Sequence, residues 1–158
     1  MPGRLLVGIK AGISMESVFA LMNSMNVTML ETNGVVYYSF YPKDSIPSLT
    51  NYLDSKRYLD TLFTDTLSPT QVFKLDWGVS VTSHGDTLQI LPTLLYMDHG
   101  AQNDWITTKQ QLQLTENTGG GFVYVYLKVP VGKEIQLSNE FNRNPIVSWS
   151  QLNYVEQL

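Results

Sequence analysis

No cysteine occurs among the 158 residues. That absence removes disulfides, thiolate metal centres, iron–sulfur clusters and a cysteine nucleophile together. Charge is also scarce, with 10 Lys and Arg against 14 Asp and Glu, a formal charge of −4 and 15% of residues charged. Without a cluster of cations to displace counterions from a phosphate backbone, nucleic acid is not an expected partner. Long apolar runs are missing too. Phe122 to Val131, among the longest, is broken by Lys128 and Pro130 and falls far short of the ~20 residues of a membrane helix. No membrane span is therefore expected. The opening Met1-Pro2-Gly3-Arg4 lacks a basic stretch followed by an apolar one, so a targeting segment is expected to be absent or already removed.

What is present is 43% apolar and rich in Thr, Asn and Tyr, the balance of a folded domain rather than a disordered chain. Low charge and the lack of a free thiol fit an exported or periplasmic protein better than a cytoplasmic one.

The pattern along the chain alternates between strand and helix. Leu5 to Ile9 reads as a strand; Ser14 can cap a helix that carries Glu16 in its first turn and buries Val18, Leu21, Met22 and Met25. Val27 to Leu30 and Val35 to Tyr41 read as strands joined by a hairpin at Asn33-Gly34, since both residues tolerate positive φ. Asp44, Ser45 and Pro47 signal a second helix with Ile46, Leu49 and Leu53 on one face. Thr61 to Thr70 reads as a loop, and Phe73 to Thr82 as a half-buried strand. A turn at Ser83 to Asp86 leads into a strand from Leu88 to Met97, bent or placed at an edge by Pro92. The sequence then predicts a helix capped by Asn103 and carrying Trp105, Ile106 and Leu112. Next come a short strand near Leu112 to Leu114 and a Gly119-Gly120-Gly121 turn. Strand Phe122 to Val129, a helix bearing Leu137 and Phe141, and strand Ile146 to Tyr154 complete the series.

At an offset of 88 residues, Gly12 aligns with Gly100, Val18 with Ile106, Tyr38 with Tyr126, Pro42 with Pro130, Leu49 with Leu137 and Leu53 with Phe141. The expected fold class is α+β: two tandem ferredoxin-like (β-α-β-β-α-β) repeats with antiparallel sheets, residues 1–83 and 84–158, closely associated. Trp77 matches Trp149 only if the first copy carries extra residues around 61–70.

Residues able to support catalysis are sparse. His84 and His99 each have an acidic neighbour, Asp86 and Asp98. An uninterrupted strand between them would hold the two clusters roughly 40 Å apart, so both are expected to be polar turn residues. Ser83, His84 and Asp86 crowd one turn, which disfavours a serine relay. The triple glycine lacks the lysine of a phosphate loop and opens a strand rather than a helix. Glu16, Asp44, Asp104 and Glu134 read as helix-start residues rather than an acid–base pair. No catalytic residue, metal site or cofactor is expected.

The aromatic residues are more informative. Val36, Tyr38 and Phe40 share one strand face, as do Tyr124, Tyr126 and Lys128, while Val123, Val125, Leu127 and Val129 take the helix-covered face. Helices on one side of a sheet leave its other side bare unless something packs there. Tyr38, Phe40, Tyr124, Tyr126 and Lys128 are thus the candidate partner-binding face; packing between the two repeats or against a second chain is the alternative use of these aromatics.

Two stretches resemble a known family. Leu5-Leu6-Val7-Gly8-Ile9-Lys10-Ala11-Gly12-Ile13-Ser14-Met15-Glu16-Ser17-Val18 is similar to the opening of subtilisin propeptide-like (inhibitor I9-type) modules. The segment from Gly121-Phe122-Val123 through Asn144-Pro145-Ile146-Val147 resembles their closing strand, helix and strand entry. The resemblance implies a ferredoxin-like fold that binds subtilisin-like proteases through an open sheet and a C-terminal tail, though here the last strand is expected to run almost to Leu158. The chain as a whole is also similar to exported proteins of Bacteroidetes-type bacteria, which supports export. Two functions are expected: a non-catalytic protein-interaction module, in its sharpest form a propeptide-like protease binder, or a small-molecule sensor resembling paired ACT-type regulatory domains, with its ligand at the repeat junction.

Overall fold

A computed structural model describes residues 2–59, 64–68, 71–74, 79–84, 87–117 and 123–152. Along the chain run β1 (Arg4–Ile9), α1 (Met15–Ser24), β2 (Thr28–Asn33), β3 (Val36–Ser39), α2 (Ile46–Asp54), β4 (Thr64–Ser68), β5 (Gln71–Lys74), β6 (Val79–His84) and β7 (Thr87–Pro92). They are followed by β8 (Leu94–Leu95), α3 (His99–Gln111), β9 (Thr115–Asn117), β10 (Val123–Lys128), α4 (Glu134–Asn142) and β11 (Val147–Leu152). The protein is mixed α+β, and its described strand pairings are antiparallel.

A five-stranded sheet has the order β11-β1-β10-β2-β8, and a four-stranded sheet the order β6-β7-β3-β9. In the first, the units β1-α1-β2 and β10-α4-β11 interleave; in the second, β7-α3-β9 and β3-α2-β6 interleave in the same relative order. The strands of 1–83 and 84–158 therefore do not close into separate sheets, because β1 is flanked on both sides by strands from beyond residue 83.

The expected hairpin at Asn33-Gly34 is the point of departure. Both strands form, but β2 pairs with β10 and β8 while β3 pairs with β7 and β9. Asn33 stays in the ladder opposite Tyr124, and of the two residues that join the strands Gly34 alone takes a positive φ, 89°. A type I′ turn with Gly34 and Val35 at its centre would need positive φ at Val35 as well, which a β-branched residue resists. Val35 instead enters the core, 2% exposed, and the chain crosses from one sheet to the other.

Local signals explain most helix ends. The Ser14 hydroxyl accepts from the Ser17 amide at 3.3 Å, and the Asp98 carboxylate from the Ala101 amide at 2.8 Å, caps worth about 1 kcal/mol each. Asp98 starts α3 ahead of the expected Asn103, which lies inside the helix: the cap is taken by the acceptor whose loop approaches the free amides. Helices α1 and α3 end alike. Asn26 (φ 53°) and Gln113 (φ 50°) are left-handed, Val27 donates to the Met22 carbonyl and Leu114 to the Lys109 carbonyl, closing both helices in the same manner. Helices α2 and α4 coincide at the 88-residue offset.

Two further expectations change. Thr64–Ser68 is a strand paired with β5 rather than a loop, in keeping with the strand preference of β-branched Thr. The long strand from Leu88 breaks at Thr93, β7 lying inside one sheet and β8 at the edge of the other. Gly119 to Gly121 and Trp77 lie outside the described residues.

One hydrophobic cluster joins both sheets. Leu5, Val7, Val125 and Leu127 from the first meet Tyr37 and Ile90 from the second, with Val18, Met22, Leu53, Trp105 and Phe141 from the four helices. Burial at this scale, roughly 25 cal/mol per Å² of apolar surface, is the main stabilising contribution.

Candidate functional site

Strand alternation leaves the second face of the five-stranded sheet to Arg4, Leu6 and Gly8 of β1, with Tyr124, Tyr126 and Lys128 opposite them on β10. On the other side of β1, Leu6 meets Gln151 and Gly8 meets Trp149. Tyr124 is 37% and Trp149 38% exposed, Lys128 is exposed, and Leu6 and Tyr126 are half-buried. The Trp149 indole lies over Gly8: a Cβ added there would sit 2.3 Å from Trp149 Cε2. A register shift between Gly8 and Ile9 on β1 places Trp149 opposite Gly8 and Val147 opposite Ile9, a usual effect of a bulge. The Arg4 guanidinium stands 5.9 Å from the Tyr126 ring centre, and its Nη1 is buried with no hydrogen-bond partner. At the far side Asn33 donates to Glu31 and accepts from the Thr93 hydroxyl at 2.8 Å.

The five residues proposed as one face fall on two sheets. Tyr124, Tyr126 and Lys128 share the surface just described, whereas Tyr38 and the following Phe40 belong to the β3 side of the four-stranded sheet. Tyr38 is half-buried and Phe40 is 80% exposed. Arg4, Leu6, Gly8 and Trp149 were not legible as neighbours of Tyr124, because their register depends on β1 pairing with β10 and β11. The signal that could have found Trp149 is its alignment with a second tryptophan on a terminal strand.

A second constellation ties the helices together. Lys109 Nζ of α3 lies 2.6 Å from Glu16 Oε1 of α1 and 3.3 Å from Glu116 Oε2 of β9, and 5.7 Å from the Tyr37 ring centre. Glu116 Oε1 also accepts from the Met15 amide at 2.9 Å, and the Trp105 indole donates to the Tyr37 hydroxyl at 3.2 Å. Burial pushes the Glu16 carboxyl up, but the hydrogen bond and charge of Lys109 outweigh it and hold the group below its ordinary value. Burial, with Glu116 nearby, drives the Tyr37 phenol well up. An ammonium held by two carboxylates is a brace rather than a nucleophile.

A third feature is a cleft of about 790 Å³ between Ser55–Tyr58 and Leu95–Asp104, with Lys56, Arg57, Tyr96 and Gly100 on its walls. Tyr58 donates to Asp104 Oδ2 at 2.5 Å and Lys56 Nζ lies 3.2 Å from the same oxygen. The Tyr58 hydrogen bond in particular, with Lys56, holds the Asp104 carboxyl down. Asp104 lies well inside α3 and not at its start, and Glu134 accepts from the Gly3 amide at 2.6 Å.

His99 is exposed at the start of α3 next to Asp98, whose carboxylate caps the helix, and the Gly85-Asp86 part of the other cluster lies outside the described residues. Among the described residues no three His, Asp or Glu side chains form a group able to hold a metal ion, and no helix is long and apolar enough to cross a membrane. Comparison with protein families, with curated proteins and with solved structures finds no match to this chain.

Proposed function

We propose that the chain is a non-catalytic protein-interaction module that takes an extended segment of a partner on the uncovered face of its five-stranded sheet. The observation that carries this reading is the surface formed by Leu6, Tyr124, Tyr126 and Trp149, large side chains on a sheet face opposite the core. An aromatic surface of this kind offers broad contact at small conformational cost. Binding of a subtilisin-like protease is the sharpest form of the proposal, and it rests on the propeptide-like stretches at both ends of the sequence. We further read the architecture as two ferredoxin-like repeats that exchange their second halves. The common strand order, the matched ends of α1 and α3, and the 88-residue spacing of α2 and α4 support this. A short connection such as Gly34-Val35 favours exchange over a hairpin.

The test is a panel of subtilisin-like proteases and extended peptides against the wild type, Tyr124→Ser/Trp149→Ser and Phe40→Ser. Complexes that survive Phe40→Ser and fail with the double variant support the proposal. Absence of any complex at micromolar concentration overturns it. Because the chain has no cysteine, a Leu6→Cys/Tyr126→Cys pair tests the exchange: an intrachain disulfide is expected there, and not in Leu6→Cys/Tyr38→Cys.

The cleft between residues 55–58 and 95–104 favours a second reading, a small-molecule sensor of the ACT type with its ligand where the two halves of the sequence meet. A metabolite that prefers the folded state would raise the melting temperature, and Tyr96→Ala would abolish that rise. A metabolite screen that leaves the melting temperature unchanged overturns this reading.

A further inference from the structure

We infer that the partner segment is an acidic peptide, seated with a carboxylate on the Arg4–Lys128 end of the uncovered face; this rests on the interaction-module reading and specifies its chemistry. Arg4 and Lys128 are directly opposite on β1 and β10, and like charges in that position repel unless something lies between them. Neither takes part in the three ion pairs formed among the described residues. Arg4 Nη1 is buried without a hydrogen-bond acceptor and the guanidinium has the Tyr126 ring as its neighbour. Nη1 itself is shut off from the surface, so a carboxylate on this face pairs with the rest of the half-buried Arg4 side chain and with the exposed Lys128 ammonium, by charge-assisted hydrogen bonds.

The chain carries a net charge of −4, so two adjacent cations on this aromatic face, without an ion-pair partner among the described residues, form a local reversal of sign suited to an anion. The shape selects a peptide over a small anion. From Gly8, beneath Trp149, to Arg4 is four residues of strand, about 13 Å, spanned by the Trp149, Tyr124, Leu6 and Tyr126 side chains. A free carboxylate would fill one end and leave the aromatics bare. An extended segment of about four to five residues covers both, with apolar side chains over Trp149 and Tyr124 and a Glu or Asp at Arg4.

Capped peptides of about eight residues, alternating Leu or Val with Glu, with Gln or with Lys, serve as probes. They are titrated into the whole chain by calorimetry, with backbone amide shifts locating the contact. The Glu peptide is expected to shift β1, β10 and β11 and to bind about tenfold more tightly than its Gln counterpart. The preference should shrink as salt rises. In Arg4→Gln/Lys128→Gln the Glu and Gln peptides should bind equally, at the wild-type affinity of the Gln peptide. Thermal melting verifies that the variant folds, and Lys128→Gln alone, at an exposed position, is the fallback. Equal binding of Glu and Gln peptides to the wild type, a preference for Lys, or a preference unchanged in the variants overturns the inference while leaving the interaction face standing. Failure of every peptide to bind overturns both.

Discussion

The two sheets follow one strand order and differ in what the faces turned away from the core carry. In the five-stranded sheet that face holds Trp149, Tyr124, Tyr126 and Leu6, with Arg4 and Lys128 at one end. In the four-stranded sheet the corresponding face pairs Tyr38 with Gln89, beside Val36 and Leu91. The covered faces are much more alike: Leu5, Val7, Val125 and Leu127 in one, Tyr37, Leu88 and Ile90 in the other, all essentially inaccessible. Packing holds the covered faces to apolar composition, because any cavity or polar atom there costs stability. The open faces are free of that demand, so their divergence is where a difference in binding would reside.

The helices diverge in the opposite sense. Helix α1 buries Met15, Val18, Phe19, Leu21 and Met22, an apolar stripe, whereas α3 buries Gln102, Trp105, Thr108 and Lys109. Two of the buried polar groups on α3, Gln102 and Lys109, have partners across the sequence halves. Gln102 donates to the Met97 carbonyl at 3.0 Å and exchanges hydrogen bonds with Asn23, and Lys109 is braced by Glu16 and Glu116. Helix α1 is held by burial and α3 by specific pairs.

That contrast can be broken most strongly at Trp105. Trp105→Ala should lower stability by about 3–5 kcal/mol, since it empties a large buried site and strips the Tyr37 hydroxyl of its donor; urea unfolding measures it. Lys109→Met comes next, at about 3 kcal/mol, because Glu116 is left buried without its cation while Glu16 remains half in water. Adding Glu116→Gln should recover part of that loss, a coupling that a double-mutant cycle reads directly.

The same brace predicts a pH dependence. The folded-state Glu16 carboxyl is held below its unfolded value, so its contribution is complete above the ordinary carboxylate range and disappears as pH falls through the lowered folded-state value. Glu16→Gln should flatten that part of an acid-unfolding profile.

On the sheet, Gly8→Ala should cost about 1 kcal/mol, the low end for overpacking, because the obstructing Trp149 ring is partly exposed and able to move. Near-neutral additivity with Trp149→Ala would be unexpected, since the two share the same space. Phe40→Ser should alter stability by less than about 0.5 kcal/mol, and this contrast with Gly8→Ala sharpens the distinction between the two open faces.

Much of this fold could be read from residue patterns, and the part that could not has a definite physical origin. Ser14, the Val18-Leu21-Met22 stripe and the alternation through Val125 and Leu127 encode local structure, where neighbours in sequence are neighbours in space. The pairing of β1 with β10 rather than β3 depends on which sheet the chain enters after Asn33, where Val35 joins a core built from residues far away in sequence. Tyr124, Tyr126 and Lys128 were legible as one face because they lie on one strand. Arg4 and Trp149 join them through two long-range registers, and the Lys109 brace joins four elements; neither leaves a trace in local spacing.

The claim that the aromatic face of the five-stranded sheet is open for a partner is tested most directly by light scattering combined with tyrosine-directed surface labelling on one sample. Tyr96, 64% exposed, and Tyr37, fully buried, provide the internal standards. The expected result is a particle of 17.9 kDa in which Tyr124 is labelled along with Tyr96 while Tyr37 is spared. A particle of twice that mass with Tyr124 protected would contradict it, since the face would then be occupied by a second copy of the chain.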